Sequence, residues 1–278
     1  MSSILDQFNL TGRTAIVTGG SGLLGAQFCR TLAEAGAAVV VADMNLPAAE
    51  AAAGAIRLAG GAALAVQVDV SSPDSTQAMV AAALERFGRL DILVNSAALD
   101  PKFDPLNSAS ALSRPTSGAF ESFPLPAWEQ ALSVNLTGAF LCCQAAVQPM
   151  LAAGRGVMIN LCSIYGLVGP DQRLYQRPGQ PAQFKPVYYS VTKAGIIGLT
   201  QYLATYYAGQ NIRVNALTPG GVFNGHDPAF AQAYAARAVL GRMAEKDEMN
   251  GALLFLASDA SAYMTGANLV VDGGWTAW

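Results

Sequence analysis

Residues 14–95 alternate short β-branched runs with Ala-rich segments of helical length, and that alternation leaves the chain few folds to choose from. It predicts strands at 14–18, 38–43, 63–68 and 91–95, separated by helices at 23–35, 47–59 and 74–87. Strands that recur after a helix run parallel and are joined by right-handed crossovers. The expected class is therefore α/β, with one doubly wound domain over 1–278. The chain is long enough to bury a large core, and with 52% hydrophobic and only 13% charged residues it is not a disordered one.

The first strand runs into Thr18-Gly19-Gly-Ser21-Gly22-Leu-Leu24-Gly25, followed by an Ala-rich helix. A tight glycine turn that aims a helix N-terminus is the layout that receives a pyrophosphate. The next strand ends in Asp43, 24 positions after Gly19. An acid there accepts hydrogen bonds from the adenosine ribose hydroxyls and repels a 2′-phosphate. The turn and Met44 supply no Arg or Lys to offset that charge, so the expected cofactor is NAD. Far downstream, Tyr189 and Lys193 stand four apart, which on a helix places both on one face. An ammonium beside a phenol favours the phenolate and makes a proton-transfer unit. Ser163 closes a strand-like run, Met158-Ile-Asn-Leu-Cys-Ser163, at the sheet edge where ligands bind in such folds.

Taken together, these segments resemble the short-chain dehydrogenase/reductase family, and the likeness spans nearly the whole chain. It implies a single-domain Rossmann fold with a seven-stranded parallel sheet, and an oxidoreductase that moves a hydride between nicotinamide and a carbinol or carbonyl carbon. By the resemblance Tyr189 is the general acid/base, Lys193 lowers its pKa and binds the nicotinamide ribose, Ser163 orients the substrate oxygen, and Asn135 in Val-Asn-Leu-Thr-Gly138 supports a proton relay. Cofactor contacts are implied for Gly19, Ser21, Gly22, Leu24, Gly25, Asp43, Asn95, Tyr189 and Lys193. Asp69 and Val70 after the third strand would meet adenine, Asp69 or the serines after it also being able to cap the next helix. Pro219, Gly220 and Val222 belong to a loop that embraces the nicotinamide. The chain departs from the pattern at Ser96 and Ala98, where Asn-Asn-Ala-Gly is usual, and at Phe223 and Asn224, where a threonine is common. Its glycines at 19, 22 and 25 follow the spacing of the extended, sugar-nucleotide-modifying branch, whereas the catalytic segment and C-terminus are those of the short form.

Two stretches, 99–126 and 167–187, exceed ordinary connection lengths and are expected to fold over the site as recognition segments. Asp100, Lys102, Asp104, Asn107, Gln172, Arg173 and Gln176 suit a polyhydroxyl or anionic substrate, with Ser163, Tyr165, Arg173 and Arg177 as its ligands. The local sequences around Ser163 and Tyr189 resemble a subgroup associated with bacterial surface-sugar and flagellin-glycan biosynthesis. Alternatives are a nucleotide-sugar epimerase or dehydratase, and a silent NAD-binding scaffold.

A net charge of −3 with scattered Lys and Arg gives no footprint for nucleic acid. The single histidine, His226, and four cysteines without metal-ligand spacing imply no metal site and buried, reduced thiols. No apolar run approaches the roughly 18–20 residues of a membrane helix, and no signal segment is visible, so a cytoplasmic enzyme is expected. The resemblance further implies a homotetramer.

Overall fold

The computed structural model describes residues 3–100, 118–176, 179 and 181–278. Arg177, Lys102, Asp104, Asn107 and most of the first long stretch lie outside these residues. Seven strands, β1 (Thr14–Thr18), β2 (Ala38–Asp43), β3 (Ala63–Gln67), β4 (Ile92–Asn95), β5 (Gly156–Leu161), β6 (Ile212–Pro219) and β7 (Asn268–Val271), form one sheet in the order β3-β2-β1-β4-β5-β6-β7. Every neighbouring pair is parallel. Chain order reverses between β1 and β4, so the crevice at their carboxyl ends is the switch point at which such sheets take ligands.

Both faces of the sheet are covered, and the strands alternate strictly between them. Ala15, Val17, Val39 and Val41 join one core with Phe28, Cys29 and Leu32 of α1 (Leu23–Glu34), Ala49, Ala53 and Ile56 of α2 (Leu46–Leu58), and Leu253 and Leu256 of α8 (Asn250–Ala257). Ile16, Val40 and Ala42 join the other, with Met79, Val80 and Ala83 of α3 (Pro73–Phe87), Cys142, Cys143, Ala146, Val147 and Met150 of α5 (Gly138–Ala152), and Leu203 and Ala204 of α6 (Val187–Tyr206). Local signals set the helix ends. The Asn45 side chain caps α2 through Ala48 N, Ser72 caps α3 through Ser75 N, and each is followed by a proline in the first turn. Gly88 then stops α3 in the left-handed conformation, φ 76°.

The predicted helix from Trp128 begins earlier, at α4 (Leu125–Leu132), and passes through a π-helical turn, Ser133–Thr137, into α5. That widened turn contains Asn135; π turns inside α-helices are rare and frequently mark functional sites. The combined helix Leu125–Ala152 has a mean hydropathy of 1.2 in its most apolar window, so by length and composition it is able to cross a bilayer. Its apolar residues are instead consumed by packing on the sheet, as Cys142, Ala146 and Met150 show. The loosely helical 225–245 contains one short helix, α7 (Pro228–Ala235). All four cysteines are buried, and burial pushes their thiols up, Cys143 to about 12. No group of His, Cys, Asp or Glu suited to a metal ion occurs among the described residues.

A polar ladder crosses the second core. Asn95 Nδ2 donates to Asn160 Oδ1 (2.9 Å), Asn160 Nδ2 donates to Thr200 Oγ1 (3.0 Å), and Thr200 Oγ1 donates to Ile196 O (2.8 Å). It joins β4, β5 and α6, with Asn160 fully buried. Asn160→Leu strands buried polar groups on both neighbours and is expected to lower stability by about 1–3 kcal/mol. Urea unfolding monitored by circular dichroism checks this; a variant as stable as wild type would show that the ladder contributes nothing.

Candidate active site

The switch point is built on two glycines. Gly19 has φ +63°, and a Cβ there would lie 2.9 Å from Ala97 Cα; a Cβ on Gly25 would lie 2.0 Å from Gly19 O. The turn and the start of α1 therefore approach as closely as backbone permits. Thr18 Oγ1, at the end of β1, accepts from the N–H groups of Ser96 (3.2 Å) and Ala97 (3.3 Å), closing the crevice against the β4 exit. The Asp43 carboxylate accepts from Ser21 N (3.1 Å), Ser21 Oγ (2.7 Å) and Asn45 N (3.0 Å). With about four lone-pair positions on a carboxylate, this leaves room for a further donor such as a ribose hydroxyl. Leu24 packs into the core beside α1. Asp69 Oδ1 accepts from Ser71 N and Ser71 Oγ, leaving the capping of α3 to Ser72, and Val70 is buried against Gly138. A cradle whose walls no Cβ can share, next to an acid with spare acceptor capacity, fits a dinucleotide.

Asn95 stands apart from this set. Its side chain turns into the buried ladder, with Nδ2 on Asn160 Oδ1 and near Cys143 Sγ, and its Oδ1 has no hydrogen-bond partner among the described residues. The amide nitrogen of this side chain thus supports the strand ends.

The proton-transfer group assembles at the end of β5. The Tyr189 phenol lies beside the Ser163 hydroxyl, which favours its ionised form. The Ser163 side chain also accepts from Tyr165 N (3.2 Å). Lys193 Nζ lies 5.8 Å from the centre of the Tyr189 ring and donates to Leu161 O (2.8 Å). Burial, followed by the Asp100 charge, pushes the Tyr189 phenol well above its ordinary range, with the Ser163 hydroxyl opposing. Burial likewise pulls the Lys193 ammonium down. The depression of Tyr189 by Lys193, expected from their spacing, is thus outweighed in this arrangement: phenol and ammonium lie on one side of α6, but desolvation dominates. Asn135 is buried, and its side chain holds Leu99, accepting from Leu99 N (2.7 Å) and donating to Leu99 O (3.1 Å). It is a clamp on the root of the first long stretch, one residue before Asp100.

The second long stretch behaves differently from its expected role. Arg173 is 83% exposed and forms two bonds to Asp171 (2.8 and 2.9 Å); Asp171 also pairs with Arg237. Arg173 is not brought to Tyr189, because its charge is spent on its own neighbour. The cation that does arrive is Lys185, from the end of the same stretch. Its Nζ lies 4.0 Å from the centre of the Tyr189 ring and 2.5 Å from Asp100 Oδ1. The signal was present: Lys185, Tyr189 and Lys193 are spaced by four.

Tyr165 is buried and accepts from Tyr175 OH (3.0 Å). These rings join Leu174, Tyr234 and Trp275 in a wall beside Tyr189, with Tyr234 stacked on Trp275 at 4.2 Å. Pro219 ends β6. A Cβ on Gly220 would meet the backbone of Asp272 at 2.8 Å, and Gly221 N donates to Tyr234 OH. Val222 bridges to Ala244, so the loop after β6 is pinned to the C-terminal segment.

A family model described as "Enoyl-(Acyl carrier protein) reductase" matches residues 21–276. A cis-4-hydroxycyclohexanecarboxylate dehydrogenase of Sinomonas cyclohexanicum is 38% identical, covering 95% of this chain and 97% of its own. The chain belongs to the short-chain dehydrogenase/reductase family. A D-threitol dehydrogenase of Mycolicibacterium smegmatis is 36% identical over 97% of this chain and 95% of its own. The crystal structure of a gluconate 5-dehydrogenase from Burkholderia cenocepacia J2315 in complex with NADP and tartrate superposes with a TM-score of 0.83 at 33% identity, covering 99% of this chain and 100% of that one. None of these three is named for surface-glycan synthesis, the subgroup expected from the sequences around Ser163 and Tyr189.

Membership makes this a nicotinamide-dependent oxidoreductase of the short-chain type, and the geometry resolves its unusual glycine spacing. Gly22 is the N-cap of α1 with φ −73° and ψ 178°, a conformation open to any residue. The nearest atom to a Cβ there is Gly19 O at 3.2 Å. The turn requires glycine at 19, 20 and 25, and the middle glycine of the extended-branch pattern, Gly22, carries no comparable demand.

Proposed function

We propose that the enzyme is an NAD-dependent dehydrogenase acting on a polar, hydroxylated substrate, oxidising a secondary carbinol or reducing the corresponding carbonyl. The observation that carries this reading is the gathering of Ser163, Tyr189 and Lys193 at the carboxyl end of β5, beside the Gly19–Gly25 cradle. Bound NAD would supply the hydride acceptor. Ser163 holds the substrate oxygen by a hydrogen bond and Tyr189 gives or takes its proton. Lys193, fixed on Leu161 O, holds positive charge behind the phenol and is positioned for the nicotinamide ribose. Asn135 keeps the π turn and Leu99 in register, and its part in a proton relay belongs to the same proposal. Gly19, Ser21, Gly22, Leu24, Gly25, Asp43, Asp69 and Val70 form the adenosine side of the cleft, and Pro219, Gly220 and Val222 the nicotinamide side. The substrate class follows from the polar mouth, Asp100, Lys185 and Gln172, and agrees with relatives named for a polyol, a sugar acid and a cyclic hydroxy acid. The glycine spacing gives no support to an epimerase or dehydratase, since Gly22 is conformationally ordinary.

Tyr189→Phe keeps the ring and removes the exchangeable proton. It is expected to lower kcat at least a hundredfold while NADH binding, read by fluorescence, changes less than threefold. Tyr188 is buried against Phe123 on another side of α6, so Tyr188→Phe serves as the control and retains activity. The reverse outcome would show that the phenol of Tyr189 is not the acid/base.

NAD is expected over NADP because a 2′-phosphate would meet Asp43, which is already bonded to Ser21 and has exposed Met44 rather than a cation beside it. Two of the similar solved structures contain NADP, so the measurement decides: kcat/KM should favour NAD at least tenfold, and Asp43→Ala should narrow that ratio. A wild-type preference for NADP overturns the assignment.

Assembly as a homotetramer belongs to the same proposal. Phe140, Val191, Tyr202 and Tyr206 leave apolar surface exposed along α5 and α6, and closed symmetric assembly buries such faces. Light scattering at micromolar concentration should give four times the chain mass, and a monomer would exclude it. A cytoplasmic location completes the reading.

A further inference from the structure

The hydride-transfer reading leaves one cation at the site without a task. Lys185 Nζ lies closer to the Tyr189 ring than Lys193 does, 4.0 against 5.8 Å. Its side chain is only 9% exposed, and an ammonium so withdrawn from water requires an anion. Its partner is Asp100, 2.5 Å away, whose side chain is 58% exposed and comes from the other long stretch. The two ends of this pair are held very differently. Gln172 bonds the lysine's backbone on both sides, Oε1 accepting from Lys185 N (2.8 Å) and Nε2 donating to Lys185 O (3.1 Å), and Pro186 follows as the N-cap of α6. Lys185 is therefore fixed to the same helix that carries Tyr189. Among the described residues Asp100 is anchored through Leu99, and its outward side is open to solvent.

We propose that Lys185 is the specificity-determining residue of this site: it binds a carboxylate of the substrate, so that preferred substrates are hydroxy acids whose carbinol and carboxylate lie within one small ring or short chain of each other. The proposal rests on the dehydrogenase reading above. The ammonium covers the ring of the residue whose hydroxyl meets Ser163, so one molecule can place its carbinol oxygen on Ser163 and Tyr189 and its anion on Lys185. In the structure Asp100 stands where that anion would go. An exposed carboxylate gives up an ion pair at small cost, because its solvation is largely intact, whereas an incoming carboxylate restores the charge balance of the buried ammonium. Among the described residues the arginines of this mouth are not competitors: Arg173 and Arg237 are both held by Asp171. His226 also faces this region and senses Asp100, Asp227 and Lys185, but burial pulls it toward the neutral form, which leaves the lysine as the cation.

The test compares 4-hydroxycyclohexanecarboxylate with its carboxamide, and gluconate with sorbitol, as alcohol substrates with saturating cofactor. Wild type should favour the acid of each pair at least tenfold in kcat/KM. Lys185→Met should lower that acid-to-neutral ratio at least tenfold, mainly through a higher KM for the acid, and Lys185→Arg should restore part of it. Asp100→Asn should lower KM for the acid by removing the competing carboxylate. A second readout needs no turnover: cyclohexanecarboxylate should bind the enzyme–NADH complex, read by the change in NADH fluorescence, cyclohexanecarboxamide at least tenfold less tightly, and Lys185→Met should erase the difference. NADH binding and thermal midpoints establish that each variant is folded. The proposal is overturned if wild type prefers the neutral partners, as a polyol bridging Lys185 and Asp100 would require, or if Lys185→Met lowers both members of a pair equally. If instead no alcohol is oxidised, or oxidation survives Tyr189→Phe, the dehydrogenase reading itself fails; binding of the carboxylate still reports on Lys185.

Discussion

The site depends first on a set of buried hydrogen bonds that never meets a ligand. Asn95, Asn160 and Thr200 join two strand ends to the middle of α6 through an otherwise apolar core. The donor and the acceptor of the fully buried Asn160 amide are matched by Thr200 and Asn95, which makes the alignment of α6 against β4 and β5 specific rather than merely favourable. Lys193 repeats the arrangement nearer the surface by donating to Leu161 O. With two such attachments, the helix cannot slide without stranding polar groups, and Tyr189 is held against Ser163 as a result.

Around this fixed point the enzyme adds parts that meet across long sequence distances. The end of the first long stretch returns at Gly118, where a Cβ would meet Phe184 O at 2.3 Å, so the two excursions touch immediately before Lys185. Asp100 and Asn135 hold the outgoing end, through Lys185 and Leu99. The rings of Tyr165, Tyr175, Tyr234 and Trp275 form the opposite wall. Polar recognition and apolar enclosure thus come from different segments, while the sheet supplies only the chemistry and the cofactor cleft.

Much of this was legible in the chain because it is carried by local pattern. Strand and helix alternation in 14–95 gave boundaries that differ by a residue or so from those observed, since β-branched runs, caps and prolines act over a few residues. The Ser163, Tyr189 and Lys193 grouping was readable because a helix of known period joins two of its members. What failed to read was not always far away: Asp171, two residues before Arg173, takes its charge, and Lys185, four residues before Tyr189, lies on its ring. Asn95 is oriented by a partner distant in sequence. Its side chain points inward because Asn160 sits opposite it in the register of β4 and β5.

The pairing of Asp171 with both Arg173 and Arg237 has a mechanical meaning. One arginine belongs to the second excursion and the other to the segment after α7, so a single carboxylate fastens two parts of the active-site rim together. Arg173, through its hydrogen bonds, is the main reason that the carboxyl of Asp171 is held low, at about 2. Because the folded value is depressed, the fastening is complete above the ordinary carboxylate range and is released only as pH falls toward that value. Above that range the second excursion and the segment after α7 are therefore held to each other at the rim by one carboxylate.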